Sequence, residues 1–178
     1  MLSKKQWSSL GLIFLLATIV RFSGITFDSL WLDESYQSLV GAYGQGAPNL
    51  LNRGSQTFRF RFTQPAPLGQ MLFHFRQVDP LCPPLYAVAL NRWITFFGDS
   101  DLAIRSLSAV FSLLSLLVIF AIATSLFGAE IGLAVALVQS LSPFDVHYAQ
   151  EARMYSLVVL TSAASCGSLI GLLFDDLT

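Results

Sequence analysis

Apolar runs separated by short polar stretches dominate the chain. From Ser106 to Ala129 no Lys, Arg, Asp or Glu interrupts the sequence, and the same holds from Met154 to Phe174. Each run has the roughly 20 apolar residues that a bilayer-spanning helix needs, which predicts spans over 103–127 and 155–174. Two shorter runs extend the pattern. Gln6 to Val20, continued past Arg21 to Phe27, predicts a span over 7–27; Ile131 to Phe144, with Glu130 and His147 at the two interfaces, predicts one over 129–147.

A polar interval, about 28–102, separates the first two spans. Gly41, Gly44, Gly46, Pro48, Pro65, Pro67, Pro80, Pro83 and Pro84 break any spanning helix there, so it reads as a long outer loop. Within it, PPLYAVALNRWITFFG at 83–98 is apolar but short for a span. Asn91 and Arg92 near its middle would each cost up to about 3 kcal/mol at the bilayer centre. Prolines in the first turn, followed by Tyr86, Trp93, Phe96 and Phe97, predict an interfacial helix instead. Leaving this helix out of the span count puts the Asp33 region and the Asp145–Tyr155 region on the same, outer side.

Composition sharpens the class. Of the 178 residues 54% are hydrophobic and 12% charged, and mean hydropathy is +0.62. A soluble domain carries roughly 25% charged residues, so an ordinary soluble enzyme is excluded. A net charge of −1 leaves no electrostatic footprint for nucleic acid. The predicted fold class is an all-α polytopic membrane protein with about four transmembrane helices plus juxtamembrane helices in the first outer loop. Lys4 and Lys5 hold the N-terminus in the cytoplasm by the positive-inside bias. No small-x-small site follows Val20, so the first run reads as an uncleaved anchor rather than a signal peptide. Compact loops point to a bacterial inner membrane.

Familiar cofactor and nucleophile motifs are missing from the sequence: it has no CxxC, HExxH, Gly-rich phosphate loop or Ser/His/Asp arrangement. Cys82 in the outer loop and Cys166 in the last span form no disulfide framework. Gly128-x-x-x-Gly132 and Gly167-x-x-x-Gly171 have helix-packing spacing.

Three constellations carry chemistry. The first is Trp31-Leu32-Asp33-Glu34-Ser35-Tyr36, adjacent carboxylates beside interfacial aromatics; by itself this also fits a solvated helix start with acids complementing the dipole. The second is Pro83-Pro84-Leu85-Tyr86 with Asn91, Arg92, Trp93, Phe97 and Gly98. The third is Ser142-Pro143-Phe144 followed by Tyr148-Ala149-Gln150-Glu151-Ala152-Arg153-Met154-Tyr155, whose charges would also serve to anchor the end of a span.

In this order the three resemble the N-terminal part of the GT-C membrane glycosyltransferases, in the branch of dolichyl-phosphate-mannose protein mannosyltransferases and related bacterial family 39 enzymes. The matching text is WLDES, PPLYAVALNRWITFFGDSDLAIRSLSAVFSLL and LFGAEIGLAVALVQSLSPFDVHYAQEARMYSL. The resemblance implies a GT-C-like fold and transfer of a sugar (a hexose, with mannose the leading candidate) from a polyprenyl-phosphate donor. The acceptor would be a glycan, lipid or protein at the outer face of the bilayer. It implies that Asp33 is the catalytic carboxylate, taking the proton of the acceptor hydroxyl as it attacks the anomeric carbon. Glu34 beside it would orient Asp33 or help to hold a metal. A divalent metal is left open; no cofactor is otherwise expected.

The departing polyprenyl phosphate needs a cation. Arg153 is the first candidate, with Glu151 and Tyr155 completing the site; Arg92 and Arg105 follow, and the alternating Arg59-Phe60-Arg61-Phe62 could also meet lipid phosphates. Relatives often have His before the Pro-Pro pair, where this chain has Cys82. They also carry more spans and a soluble C-terminal part, so the chain is expected to be a truncated piece. The alternative function is a non-catalytic membrane protein, a remnant or a partner subunit of such an enzyme. A transporter ranks below both, because no ionisable residue stands mid-span apart from the end-lying Arg21.

Overall fold

The computed structural model describes residues 2–28, 30–31, 33–34, 66–78 and 83–175. The Arg59–Phe62 stretch and Cys82 lie outside the described residues. The described residues form helices: α1 (Lys4–Phe22), α2 (Leu68–Val78), α3 (Pro84–Phe97), α4 (Asp101–Phe127), α5 (Ala129–Leu141), α6 (Pro143–Ala149) and α7 (Tyr155–Asp175). The chain divides into two units, one of residues 1–27 with 108–178 and one of residues 28–107.

Helices α4 and α7 are long and apolar enough to cross a membrane, and α5 with α6 would make a third span if the bent pair counts as one. The chain is therefore an all-α membrane protein. α1, with Lys4 and Lys5 at one end and Arg21 at the other, is not among them. It is also shorter than the expected 7–27: the helix stops at Phe22, Ser23 is extended, and Gly24 has φ 74°, a conformation that L side chains rarely adopt. At its start Ser3 and Gln6 form a capping box, with Gln6 N–H donating to Ser3 Oγ at 3.3 Å and Ser3 N–H to Gln6 Oε1 at 2.9 Å.

The stretch expected to span over 129–147 is bent by 59° between α5 and α6. Ser142 is extended and caps α6, its Oγ accepting from Asp145 N–H at 3.4 Å. Pro143 has no N–H to return to the carbonyl of Gln139 one turn back, so the helix cannot run straight through.

In the unit built on 1–27 and 108–178, Leu10 and Ala17 of α1 pack with Leu113, Leu116 and Phe120 of α4 and Ala136 of α5. Each glycine motif contributes one close approach. A Cβ on Gly132 would collide with Thr124, and one on Gly167 would meet Ile122 at 3.0 Å, whereas Gly171 has open space. Small residues thus bring α5 and α7 close to α4.

In the unit of 28–107, α3 starts with Pro84 in its first turn and ends at Gly98, φ 84°. It occupies the 83–98 stretch read as interfacial, and it buries a face made of Tyr86, Ala87, Leu90, Asn91 and Ile94. Met71 and Phe75, four residues apart on α2, pack against Ala87. The buried Asn91 is satisfied: its Nδ2 donates to the Ala66 carbonyl at 3.0 Å. Trp93 Nε1 donates to the Ala103 carbonyl and to Ser106 Oγ, both at 3.0 Å, tying α3 to the start of α4.

Candidate functional site

The adjacent carboxylates Asp33 and Glu34 are helical residues of the 28–107 unit and have unlike surroundings. Glu34 is fully buried. Its Oε2 accepts the backbone N–H of Trp31 at 3.2 Å, an i, i+3 contact that fixes the turn. Arg105, from the second turn of α4, clamps the carboxylate in a fork: Nε donates to Oε1 at 2.9 Å and Nη2 to Oε2 at 2.7 Å. Nη1 of the same guanidinium donates to the Asp28 carbonyl at 2.7 Å. The bidentate geometry is the strong form of an Arg–carboxylate pair. Asp33 remains partly exposed.

That division separates the two carboxylates chemically. Glu34 has both oxygens engaged by Arg105. Arg105, only 5% exposed, is directed at Glu34. Arg92 stands exposed on α3, off the buried face that carries Asn91. Among the described residues no three His, Cys, Asp or Glu groups gather as metal ligands.

In the other unit, Arg153 and Tyr155 come together: Arg153 Nη2 donates to the Tyr155 hydroxyl at 3.5 Å, and the guanidinium carbon lies 5.6 Å from the ring centroid. The Tyr155 ring in turn meets Tyr148 with centroids 4.7 Å apart. Glu151 pairs with His147 one turn earlier, Oε1 to Nε2 at 3.2 Å. The connection between α6 and α7 is held in place by its backbone. Arg153 N–H donates to the Glu151 carbonyl at 2.8 Å, and Ser108 Oγ donates to the Arg153 carbonyl at 3.1 Å. The Gln150 amide donates to the carbonyls of Val20 and Arg21 at 3.2 Å and of Ser23 at 2.8 Å, capping the end of α1.

A model of the dolichyl-phosphate-mannose-protein mannosyltransferase family matches residues 82–175, the stretch that carries α3 through α7. The chain belongs to that family. No curated protein matches it, and no solved structure does. As a member of this mannosyltransferase family the chain is a GT-C-type membrane glycosyltransferase, with a polyprenyl-phosphate sugar as its class of donor and the bilayer as its setting.

Three residues of the unit built on 1–27 and 108–178 have structural parts that the sequence did not assign to them. His147 is detectable as the i−4 neighbour of Glu151. Gln150 carries no local signal, because its three partners lie about 130 residues away in sequence. Arg21 looked like the end of a span, yet it is fully buried. Its Nε donates to Ser112 Oγ at 2.8 Å, Nη1 to the carbonyls of Ala17 at 3.3 Å and Ser140 at 3.2 Å, and Nη2 to the Gln139 carbonyl at 3.4 Å. Two of those carbonyls belong to the turn that Pro143 interrupts. Arg21 thus supplies donors that the broken helix lacks.

Proposed function

We propose that the chain is the N-terminal catalytic part of an inverting glycosyltransferase that moves a hexose, with mannose the first candidate, from a polyprenyl phosphate to an acceptor hydroxyl. The work is done at the outer face of a bacterial inner membrane. α1 acts as a further span, with the N-terminus in the cytoplasm. The observation that carries this reading is the unequal fate of the neighbouring acids. Glu34 is buried and clamped by Arg105, and Asp33 beside it is partly exposed.

Asp33 takes the acceptor proton as the oxygen attacks the anomeric carbon, and the carbon–oxygen bond to the donor phosphate breaks on the opposite side. Glu34, locked by Arg105, fixes the turn that presents Asp33. Arg153, braced on Tyr155, meets the charge that develops on the leaving phosphate; Arg92 is the second candidate for that task. Glu151, paired with His147, supports the Arg153 segment.

The test is Asp33→Asn in the complete protein, assayed in membranes with polyprenyl-phosphate mannose. A general base contributes about 10²- to 10⁴-fold, so transfer should fall by at least about 100-fold while thermal stability and membrane abundance hold. Persistent transfer would show that Asp33 is not the base. If only another polyprenyl-phosphate hexose supports transfer, the sugar assignment changes and the base assignment stands.

A further inference from the structure

Beside the α5/α6 bend lies a cavity of about 550 Å³ that the reaction above does not use. Its walls order themselves along the helix. Ile119, Val138 and Val159 line an apolar stretch, and Gln139, Ser142 and Asp145 form a polar corner at the break. A smaller cavity of about 200 Å³ shares Asp145 and Val159 and adds the hydroxyls of Ser112, Ser115 and Ser156.

The polar corner holds an acceptor that lacks a donor. Gln139 is 8% exposed, and its Oε1 is buried without a hydrogen-bond partner. Its Nε2 donates to Ser115 Oγ at 3.3 Å, and that hydroxyl donates to the Ser112 carbonyl at 2.8 Å, which leaves the amide oxygen as the orphan. Ser142 Oγ is engaged as an acceptor by the Asp145 N–H. Asp145 itself is partly exposed in both cavity walls. A buried acceptor without a donor costs free energy until something supplies one. Neither cavity wall contains a Lys or Arg, so a phosphate there would meet a carboxylate and no cation. The buried Arg21 guanidinium, which lines neither wall, acts electrostatically with Asp145, so a cationic head would meet an opposing charge behind the carboxylate.

We propose that this groove binds a neutral membrane amphiphile whose head carries hydroxyl donors, with its chain along Ile119, Val138 and Val159 and its head at Gln139, Ser142 and Asp145. The order of the walls matches an acyl chain that runs along the helices and a head at the span's break. Neither wall carries the cation that the donor phosphate requires. It does not depend on the sugar-transfer reading.

Photocrosslinking of the full chain in nanodiscs tests it, with three diazirine lipids of identical acyl chains: diacylglycerol, monoglucosyl diacylglycerol and phosphatidic acid. The two neutral probes separate a simple glycerol head from a sugar head. Peptides spanning 134–145 should take up at least one neutral probe about tenfold more than phosphatidic acid, and also above the level on the exposed Leu169–Leu173 surface of α7. Asp145→Leu should lower that labelling about tenfold, the order of one lost hydrogen bond to a charged acceptor. Asp145→Asn keeps the shape and removes the charge, and should bring phosphatidic acid within about twofold of the neutral probes. The proposal is overturned by equal labelling with phosphatidic acid in the unaltered chain, by labelling no higher than on α7, or by an Asp145→Asn protein that still rejects phosphatidic acid. None of these readouts requires sugar transfer, so the site can fail while the glycosyltransferase reading stands.

Discussion

Among the described residues of this membrane protein two arginines are buried, and their charges are accommodated in different ways. Arg105 faces a carboxylate and makes a two-pronged ion pair with Glu34. Arg21 is wrapped by the Ser112 hydroxyl and by carbonyls at the end of its own helix and at the break of α5, with Asp145 acting on it electrostatically. An ion pair costs little only while both partners stay; removing one strands the other in a low-dielectric interior. A guanidinium solvated by carbonyls is a many-partner cap, and its loss leaves neutral acceptors bare. The pair should therefore fail steeply and the cap gradually.

The largest effect expected is for Glu34→Ala, which leaves Arg105 buried without its carboxylate and should cost about 3–5 kcal/mol of stability. Thermal unfolding in detergent measures it. The double variant Glu34→Leu with Arg105→Met should recover most of that loss, since well-packed apolar replacements of a buried pair are often neutral. If the double variant is as unstable as the single one, charge stranding is not the reason for the loss, and the contacts to Trp31 and Asp28 matter more.

Arg21→Leu should cost less, about 1–3 kcal/mol, because the acceptors it leaves bare are neutral carbonyls and Asp145, the charge it acts on, is partly exposed. Arg21→Gln, which keeps two donors, should fall between Arg21→Leu and the unaltered protein in the same thermal scan. Equal losses for Leu and Gln would mean that the guanidinium's charge, through Asp145, outweighs its hydrogen bonds.

This contrast also marks what the sequence could reveal. Gaps between charges located α4 and α7 within a few residues, and the two prolines with the aromatics placed α3. The pairing of Glu34 with Arg105 spans 71 residues, and each residue has an ordinary local explanation, so nothing nearby in the chain signals the partner. Arg21 looked like a charge near the end of a span because its acceptors on α4 and α5 lie about 90 to 120 residues further on. α2 was missed because its mixed stretch between Pro67 and Pro80 has only Met71 and Phe75 at helical spacing on its buried side. Ser142-Pro143 was visible, but composition alone favoured running one span through it. The candidate base Asp33 was legible only through the family resemblance; what separates it from Glu34 is burial, a property of the fold.

The smallest effect belongs to Pro143→Ala, which tests whether Arg21 or the proline sets the bend. With Ala at 143 an N–H becomes available one turn beyond the Gln139 carbonyl, which now accepts from Arg21 Nη2 at 3.4 Å and from Ser142 N–H at 3.3 Å. Restoring the helical bond competes with these two long contacts, so the change in stability should stay within about 1 kcal/mol. Spin labels at the exposed Ile131 and Tyr148 should then report a longer separation as the 59° bend opens. An unchanged separation would assign the bend to Arg21 and the Ser142 cap, and the same labels in a Pro143→Ala, Arg21→Leu protein should then lengthen. A bend that opens with Pro143→Ala alone makes Arg21 a cap that follows the break rather than its cause. The gradual loss expected for Arg21→Leu would then be the energy of those carbonyl contacts alone.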